Sequence, residues 1–227
     1  MSKDLSIIQV SDLHISKHRN LLERMVNQIN SENVDLVVIT GDIVVSNDKE
    51  LYDIANRSIN KIRHNVIVLP GEYDYGPEWE SNFGSRYKYI NIGNYILNFL
   101  DTSFLGHKFF VGWGDTLKDN DIHQYNWLLD SLKVDKYHII FSHHPFLVDS
   151  CEKGIPLDNI RVMYSGHLHE ISSFYFKYEK PRGVFEYGFG TTYLKFHGSA
   201  CYLLINIDNN DNISHVPKFV DMKKTAW

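Results

Sequence analysis

LSIIQVSDLH, residues 5–14, is the stretch that decides the fold: an apolar run from Leu5 to Val10 leads straight into an Asp-Leu-His triplet. The run reads as a buried strand, with Asp12 and His14 placed just past its end. A second β-branched run, VDLVVITGD at 34–42, closes in the same manner on Gly41-Asp42. Between the two, Leu21, Leu22, Met25, Val26 and Ile29 recur at helical spacing. A helix through Ile54, Ile59 and Ile62 follows, and Val66 to Leu69 forms a third strand stopped by Pro70-Gly71. Two strand-helix-strand units imply parallel strands joined by right-handed crossovers.

The middle of the chain is richer in β pattern. Tyr87 to Ile92, Tyr95 to Leu100 and Lys108 to Trp113 read as strands, the first two joined by a tight turn at Gly93-Asn94. The spacing predicts a helix over His123 to Leu132, with Trp127, Leu128 and Leu132 on its buried side. Strands return at Tyr137 to Ser142, Arg161 to Ser165, Ser172 to Tyr178, Val184 to Tyr187, Ala200 to Ile207 and Ile213 to Phe219. Asp208-Asn209-Asn210-Asp211-Asn212 separates the last pair as a turn. Repeats, low-complexity tracts and linkers are missing from the pattern. The expectation is an α/β protein with two packed sheets and helices outside, a single domain over residues 1–227.

Composition narrows the function classes. The chain has 43% hydrophobic and 22% charged residues, ordinary for a soluble globular domain. Its formal charge of −5 gives no general attraction to nucleic acid or anionic membrane. Cys151 and Cys201 lack metal-ligand or redox spacing, and Cys201 falls in an apolar strand pattern where a thiol behaves as a small core residue. With neither a signal-peptide core nor an apolar run long enough to cross a bilayer, the expected location is the cytoplasm, away from membranes.

Chemistry concentrates at strand ends. Asp12 and His14, Asp42, His143 after Tyr137 to Ser142, and His167 and His169 after Val162 to Ser165 all stand where α/β sheets collect active groups. Asp and His suit Zn²⁺, Mn²⁺ or Fe. A carboxylate such as Asp42 can bridge two cations about 3.5–4 Å apart, as in other two-metal sites. A lone histidine is more often an ordinary surface or core residue, and His18, His64, His138 and His215 are read that way. His107, His123 and His197 fall in loops or at element ends that could border a cleft. Phe104, Trp113, Tyr125 and Phe146 are read first as core, Trp79 as a flank of the cleft, and Arg86 and Arg182 first as solvated charges.

In Asp12-Leu13-His14, Gly41-Asp42, Ser142-His143-His144-Pro145 and Gly166-His167-Leu168-His169, taken in that order, the sequence resembles the calcineurin-like metallophosphoesterases. Leu100-Asp101-Thr102 and Gln124 to Leu128 resemble the subgroup with cyclic-nucleotide phosphodiesterases and glycerophosphodiesterases. The resemblance implies a four-layer α/β/β/α sandwich, two mixed β-sheets flanked by helices. It implies two divalent metal ions, Mn²⁺ first, with Fe, Zn²⁺ or Ni²⁺ as alternatives. Asp12, His14, Asp42 and His169 would hold one metal; Asp42, His143, His167 and the residue at position 72 would hold the other. His143 is favoured over His144 because it directly follows the strand; His144 is left to contact substrate or orient its loop.

One motif departs from the family pattern. Where Gly-Asn-His and an acidic residue are expected, this chain has Gly71-Glu72-Tyr73-Asp74. Glu72 can bring an oxygen to the metal, adding a third carboxylate beside Asp12 and Asp42, or it can turn away and leave the second metal weakly held. A carboxylate there strengthens cation binding, reduces Lewis acidity and repels an anionic phosphate. Tyr73 stands where the family places the histidine that assists the leaving group. With an ordinary pKa near 10, a phenol donates a hydrogen bond but brings no positive charge. Losing a general acid costs about 10²–10⁴-fold in rate, most for poor alkoxide leaving groups. The expected activity is therefore phosphodiester hydrolysis over monoester hydrolysis, by in-line attack of hydroxide at the metals, with Asp42 central and Tyr73 or His144 contacting phosphate. The alternatives are a metal-binding scaffold that binds a nucleotide or protein partner, and a phosphomonoesterase or protein phosphatase. The substrate is expected to be a phosphoester, with nucleotides and nucleic acids among the possibilities; sequence leaves oligomeric state open.

Overall fold

A computed structural model describes residues 4–16, 20–74, 76–106, 111–112, 117–147, 159–169, 171–176, 184–189 and 201–220. Strand and helix alternate first: β1 (Leu5–Val10), α1 (Asn20–Ile29), β2 (Leu36–Thr40), α2 (Lys49–Ile59) and β3 (Asn65–Leu69). A 3-10 turn at Glu72–Asp74 and the short α3 (Glu78–Phe83) lead to β4 (Lys88–Ile92) and β5 (Tyr95–Phe99). After a second 3-10 turn, Ser103–Leu105, come β6 (Val111–Gly112), the single turn α4 (Lys118–Asn120) and α5 (Ile122–Leu132). The chain continues through β7 (Tyr137–Phe141), β8 (Phe146–Leu147), β9 (Ile160–Ser165), β10 (Ile171–Phe176), β11 (Val184–Phe189), β12 (Cys201–Ile207) and β13 (Ile213–Phe219).

Two mixed sheets result. The first runs β13-β12-β1-β2-β3, with β1, β2 and β3 mutually parallel and β12 antiparallel to β1. The second runs β10-β11-β9-β7-β5-β4, parallel from β11 to β5 and antiparallel at both edges. β6 and β8 pair separately.

Strand alternation sorts the core into three apolar layers. In β1 and β2, Ile8, Val10, Val37 and Ile39 face α1 and α2, packing on Met25, Ile29, Ile54 and Ile59. The intervening Leu5, Ile7, Leu36 and Val38 face the second sheet and meet Leu97, Phe99, Ile139, Phe141, Val162 and Tyr164. On that sheet's far side, Ile140 and Met163 pack on Leu128 and Leu132 of α5. These three contacts stack four layers, α/β/β/α. Each fully buried Leu, Ile or Phe contributes about 1.5–3 kcal/mol. Two aspartates begin the longer helices: Asp48 accepts the Glu50 N–H, and Asp121 accepts the Gln124 N–H at 2.9 Å.

The turn at Gly93-Asn94 joins β4 to β5 as expected, and Pro70-Gly71 ends β3. Strand β2 starts at Leu36, not Val34, because its parallel register with β1 begins there. The expected strand over Lys108 to Trp113 is described only at Val111–Gly112, the rest lying outside the described residues. Trp127 is partly buried and stacks beside Tyr87 and Tyr89. Trp79 does not flank a cleft. Helix α3 turns it and Phe83, four residues apart, onto the helix-side core, with ring centroids 4.7 Å apart.

Candidate metal centre

The loops following β1, β2, β3, β7 and β9 converge at the carboxyl ends of the strands. Asp12 donates its backbone N–H to the Gly41 carbonyl at 3.0 Å, and His14 donates to the Asp42 carbonyl at 2.8 Å. Gly166 donates to the His143 carbonyl at 2.9 Å, joining the loops of the second sheet. Across the sheets, the His167 N–H reaches the Asp12 carboxylate at 3.1 Å. Asp12, His14, Asp42, His167 and His169 all have positive φ, between 40° and 66°. Non-glycine residues take this conformation only when their surroundings hold them there.

Two donor clusters form. Asp12, His14 and His169 make one, with His14 Nε2 3.3 Å from His169 Nε2 and His169 Nε2 3.5 Å from Asp12 Oδ1. Glu72, His143, His144 and His167 make the other, with Glu72 Oε2 2.6 Å from His143 Nε2 and 3.2 Å from His167 Nδ1. Asp42 lies between them: its Oδ2 is 3.6 Å from Nε2 of both His14 and His143. This buried oxygen has no hydrogen-bond partner, while Oδ1 accepts the Tyr73 N–H at 3.2 Å. An unsatisfied carboxylate oxygen in a buried place is costly unless a cation compensates it. The donor set fits divalent cations on that ground.

Backbone contacts aim the rings. His143 Nδ1 lies 2.7 Å from the Thr40 carbonyl, which can only accept, so Nδ1 carries the proton and Nε2 faces the carboxylates. A carbonyl behind a ligating histidine is a recurring means of fixing its tautomer. Asp74 is fully buried, and its carboxylate accepts the N–H groups of Gly71, Ile43 and Val44 at 3.0, 3.1 and 3.4 Å. It thereby ties the loop carrying Asp42 to the loop carrying Glu72. Sequence reasoning assigned Asp74 no role; its acidic character was visible, but its three backbone donors arise only from tertiary contact.

Confined negative charge dominates the electrostatics. Burial pushes the Asp42 carboxyl up to about 8, opposed by His143 and reinforced by Asp12, Glu72 and Asp74. Burial would lower His143, but Asp42, the Glu72 hydrogen bond and Asp12 raise it to about 10. Burial also pushes Glu72 upward, yet hydrogen bonds to His143 and His167 hold it well below the carboxylate range. His14 falls to about 4 through burial. The cluster is thus a place that attracts positive charge, whether protons or cations.

Tyr73 is 38% exposed, with its ring set edge-on to His14 at 5.4 Å between centroids. His144 is fully buried, and its ring nitrogens contact Thr102 and the Gly106 carbonyl. Burial, with His143 and His167 beside it, lowers it to about 3. Arg86 is no freely solvated charge: it bonds the Asp101 carboxylate at 3.3 Å and the Gly76 carbonyl at 2.8 Å. His123 is exposed on α5. His18, His107, His197, Trp113 and Arg182 lie outside the described residues.

The calcineurin-like phosphoesterase model matches residues 5–171, and the chain belongs to that family. Over 180 residues it is 27% identical to a metallophosphoesterase of Campylobacter jejuni called uncharacterized, covering 74% of this chain and 45% of the relative. Over 179 residues it is 29% identical to a glycerophosphodiester phosphodiesterase of Enterobacter lignolyticus, covering 65% and 61%. A probable cyclic nucleotide phosphodiesterase of Fibrobacter succinogenes is 28% identical over 153 residues, covering 63% and 58%. The chain thus spans between 45% and 61% of the length of these three relatives. Among solved structures, the yellow lupin purple acid phosphatase superposes with a TM-score of 0.67 at 10% identity, over 97% of this chain and 52% of that one. GAP50, an anchor in the Plasmodium inner membrane complex, gives 0.59 at 15% identity, over 98% and 86%. At these identities the structural likeness is one of fold.

Proposed function

We propose that this protein hydrolyses phosphodiesters with two divalent cations, loaded first as Mn²⁺. Asp12, His14, Asp42 and His169 hold one cation; Asp42, Glu72, His143 and His167 hold the other. The observation that carries this reading is Asp42 Oδ2, unsatisfied and 3.6 Å from an imidazole of each cluster. When bound, such a pair of ions supplies a water of lowered pKa and neutralises phosphate oxygens.

The chain's own residues then set the preference. With Glu72 as the third carboxylate, two divalent ions leave one net positive charge, where asparagine would leave two. A singly charged diester meets that field with less repulsion from Glu72 than a doubly charged monoester. Tyr73, exposed at the mouth of the site, offers a phenol hydrogen bond to phosphate or leaving group. It supplies no imidazolium, so acidic leaving groups are favoured over alkoxides. The phosphodiesterase names of two relatives support this direction.

The test compares bis-aryl phosphate with aryl monophosphate after metal stripping and Mn²⁺ replenishment. Diester turnover that needs Mn²⁺ and is lost in Asp42→Asn is the expected result. Bound Mn²⁺ without turnover of any diester would overturn catalysis and leave a binding scaffold. Faster monoester than diester turnover would overturn the diester preference.

A further inference from the structure

Leu100-Asp101-Thr102 and Gln124, unaccounted for by the proposed reaction, form a continuous hydrogen-bonded chain that ends against the metal centre. Gln124, fully buried on α5, accepts the Asp101 N–H at 2.7 Å and donates to the Asp101 carbonyl at 2.9 Å. One side-chain amide therefore grips both backbone groups of the residue just past β5. The Asp101 carboxylate accepts from Ser103 N–H at 2.8 Å and Ser103 O–H at 2.6 Å, fixing the turn that follows. Thr102 is thus held in place, and its Oγ1 accepts the His144 backbone N–H at 3.1 Å.

The His144 ring completes the chain. Its Nε2 lies 2.8 Å from the Gly106 carbonyl, which can only accept, so Nε2 carries the proton. Nδ1, 3.0 Å from Thr102 Oγ1, is then the acceptor of the threonine O–H. Both ring nitrogens and both hydroxyl functions are used. The ring packs 4.4 Å from the His167 ring and stands perpendicular to His143 at 4.9 Å between centroids.

We propose that His144 is a positioning residue, locked as its Nε2–H tautomer by Thr102 and Gly106, whose ring braces the rings of His143 and His167. The subgroup motifs at Asp101-Thr102 and Gln124 extend that brace to α5. The inference rests on the reading that Glu72, His143 and His167 hold a cation, and it gives His144 a role without contact to substrate.

The experiment is calorimetric Mn²⁺ titration of metal-stripped wild type, Thr102→Val and Thr102→Ser, with the histidine tautomers of the wild type read by ¹⁵N NMR. Outer partners of ligating histidines typically control metal affinity about 10–100-fold. Thr102→Val is expected to weaken one of the two binding events by that factor, and Thr102→Ser to restore it. The spectrum should show His144 protonated on Nε2. Unchanged affinities in Thr102→Val, or His144 protonated on Nδ1, would overturn the inference while leaving the metal reading intact. If wild type binds no divalent cation, the phosphodiesterase reading fails, and with it this inference, whatever the tautomer shows. A His144→Gln variant that binds both ions normally but loses turnover and one limb of its pH profile would make His144 a reacting group, which also overturns it.

Discussion

Gly41→Ala is the substitution whose consequences the structure defines most closely. Gly41 has a φ of +92°, and a Cβ there would lie 2.6 Å from His143 Nδ1 and 2.8 Å from both His143 Cγ and the Gly71 N. Ordinary contact begins at 3.4 Å, so the ring and the Gly71 backbone must each retreat by 0.6–0.8 Å. The left-handed backbone costs alanine about 1–2 kcal/mol. Overpacking adds about 1–3 kcal/mol. In a protein of this size each kcal/mol shifts Tm by about 2–4 °C, so the metal-free variant should melt about 4–20 °C lower. The second effect is local, because the displaced nitrogen is the one that donates to Thr40 and keeps Nε2 directed at Asp42 and Glu72. A misplacement approaching 1 Å can cost about 10²-fold in rate. Thermal scans with and without Mn²⁺ separate the two effects: destabilisation lowers both curves equally, whereas misaiming shrinks the shift that Mn²⁺ produces. A variant with wild-type Tm, wild-type Mn²⁺ shift and turnover within about threefold would refute the argument that Gly41 is required by the close approach of His143.

Further outcomes follow from the same geometry. Asp42→Asn should raise the Tm of the metal-free protein, since burial and the neighbouring carboxylates oppose the Asp42 charge, and should abolish most of the Mn²⁺-induced increase. At a free Mn²⁺ concentration of about 100 Kd, wild type should gain about 2.7 kcal/mol; a lower metal-free Tm in Asp42→Asn would contradict this electrostatic account. Tyr73→His, at an exposed position, should change stability by no more than about 0.5 kcal/mol. It should raise aryl monophosphate turnover and add an ionisation to the rate profile, which parallel pH-rate curves would detect. His215 is lowered by burial from 6.5 to about 4, and its Nε2 shares a hydrogen bond with the Tyr164 hydroxyl at 2.7 Å. The unfolded chain therefore binds its proton first: the stabilisation is complete above pH 6.5 and diminishes toward pH 4. Urea unfolding from pH 7 to 4.5 should show a shallower loss in His215→Asn than in wild type.

How legible each feature was depends on whether its cause was local. β1 and β2 could be read because their apolar residues alternate between two apolar layers, so the strand sequence is hydrophobic apart from Ser6, Gln9 and Thr40. Asp12, Asp42 and His143 stand out because a strand ends just before them and the chain there must turn. His143 and His144 are told apart by their partners, since the two rings touch and both lie near Glu72. His143 Nε2 reaches Asp42 and Glu72, while the ring nitrogens of His144 are taken by Thr102 and Gly106, contacts that arise only from tertiary structure. Trp79 was misread because it was taken to lie in a loop after the Gly71-Glu72-Tyr73-Asp74 motif, although Trp79 and Phe83 at helical spacing carried the opposite signal. Arg86 had no such signal: its partner Asp101 is 15 residues away and reached only through tertiary contact.

The left-handed residues show why the centre depends on both sheets. Positive φ at Asp12, His14, Asp42, His167 and His169 costs on the order of 1–2 kcal/mol each. No single loop compensates that strain internally. Asp12 and His14 are held by carbonyls of the β2 loop, His167 by the Asp12 carboxylate, and the β9 loop by the carbonyl of His143. Each loop is held by another, so a defect in one should loosen donors contributed by the rest. The strain and the buried Asp42 carboxylate act against the fold in the metal-free protein, and both would be offset by cations held at these donors. Metal removal should therefore increase hydrogen exchange at Asp12, His14 and His167 together, three of the backbone amides that bond between loops. Exchange that rises at only one of them would show that the loops order independently.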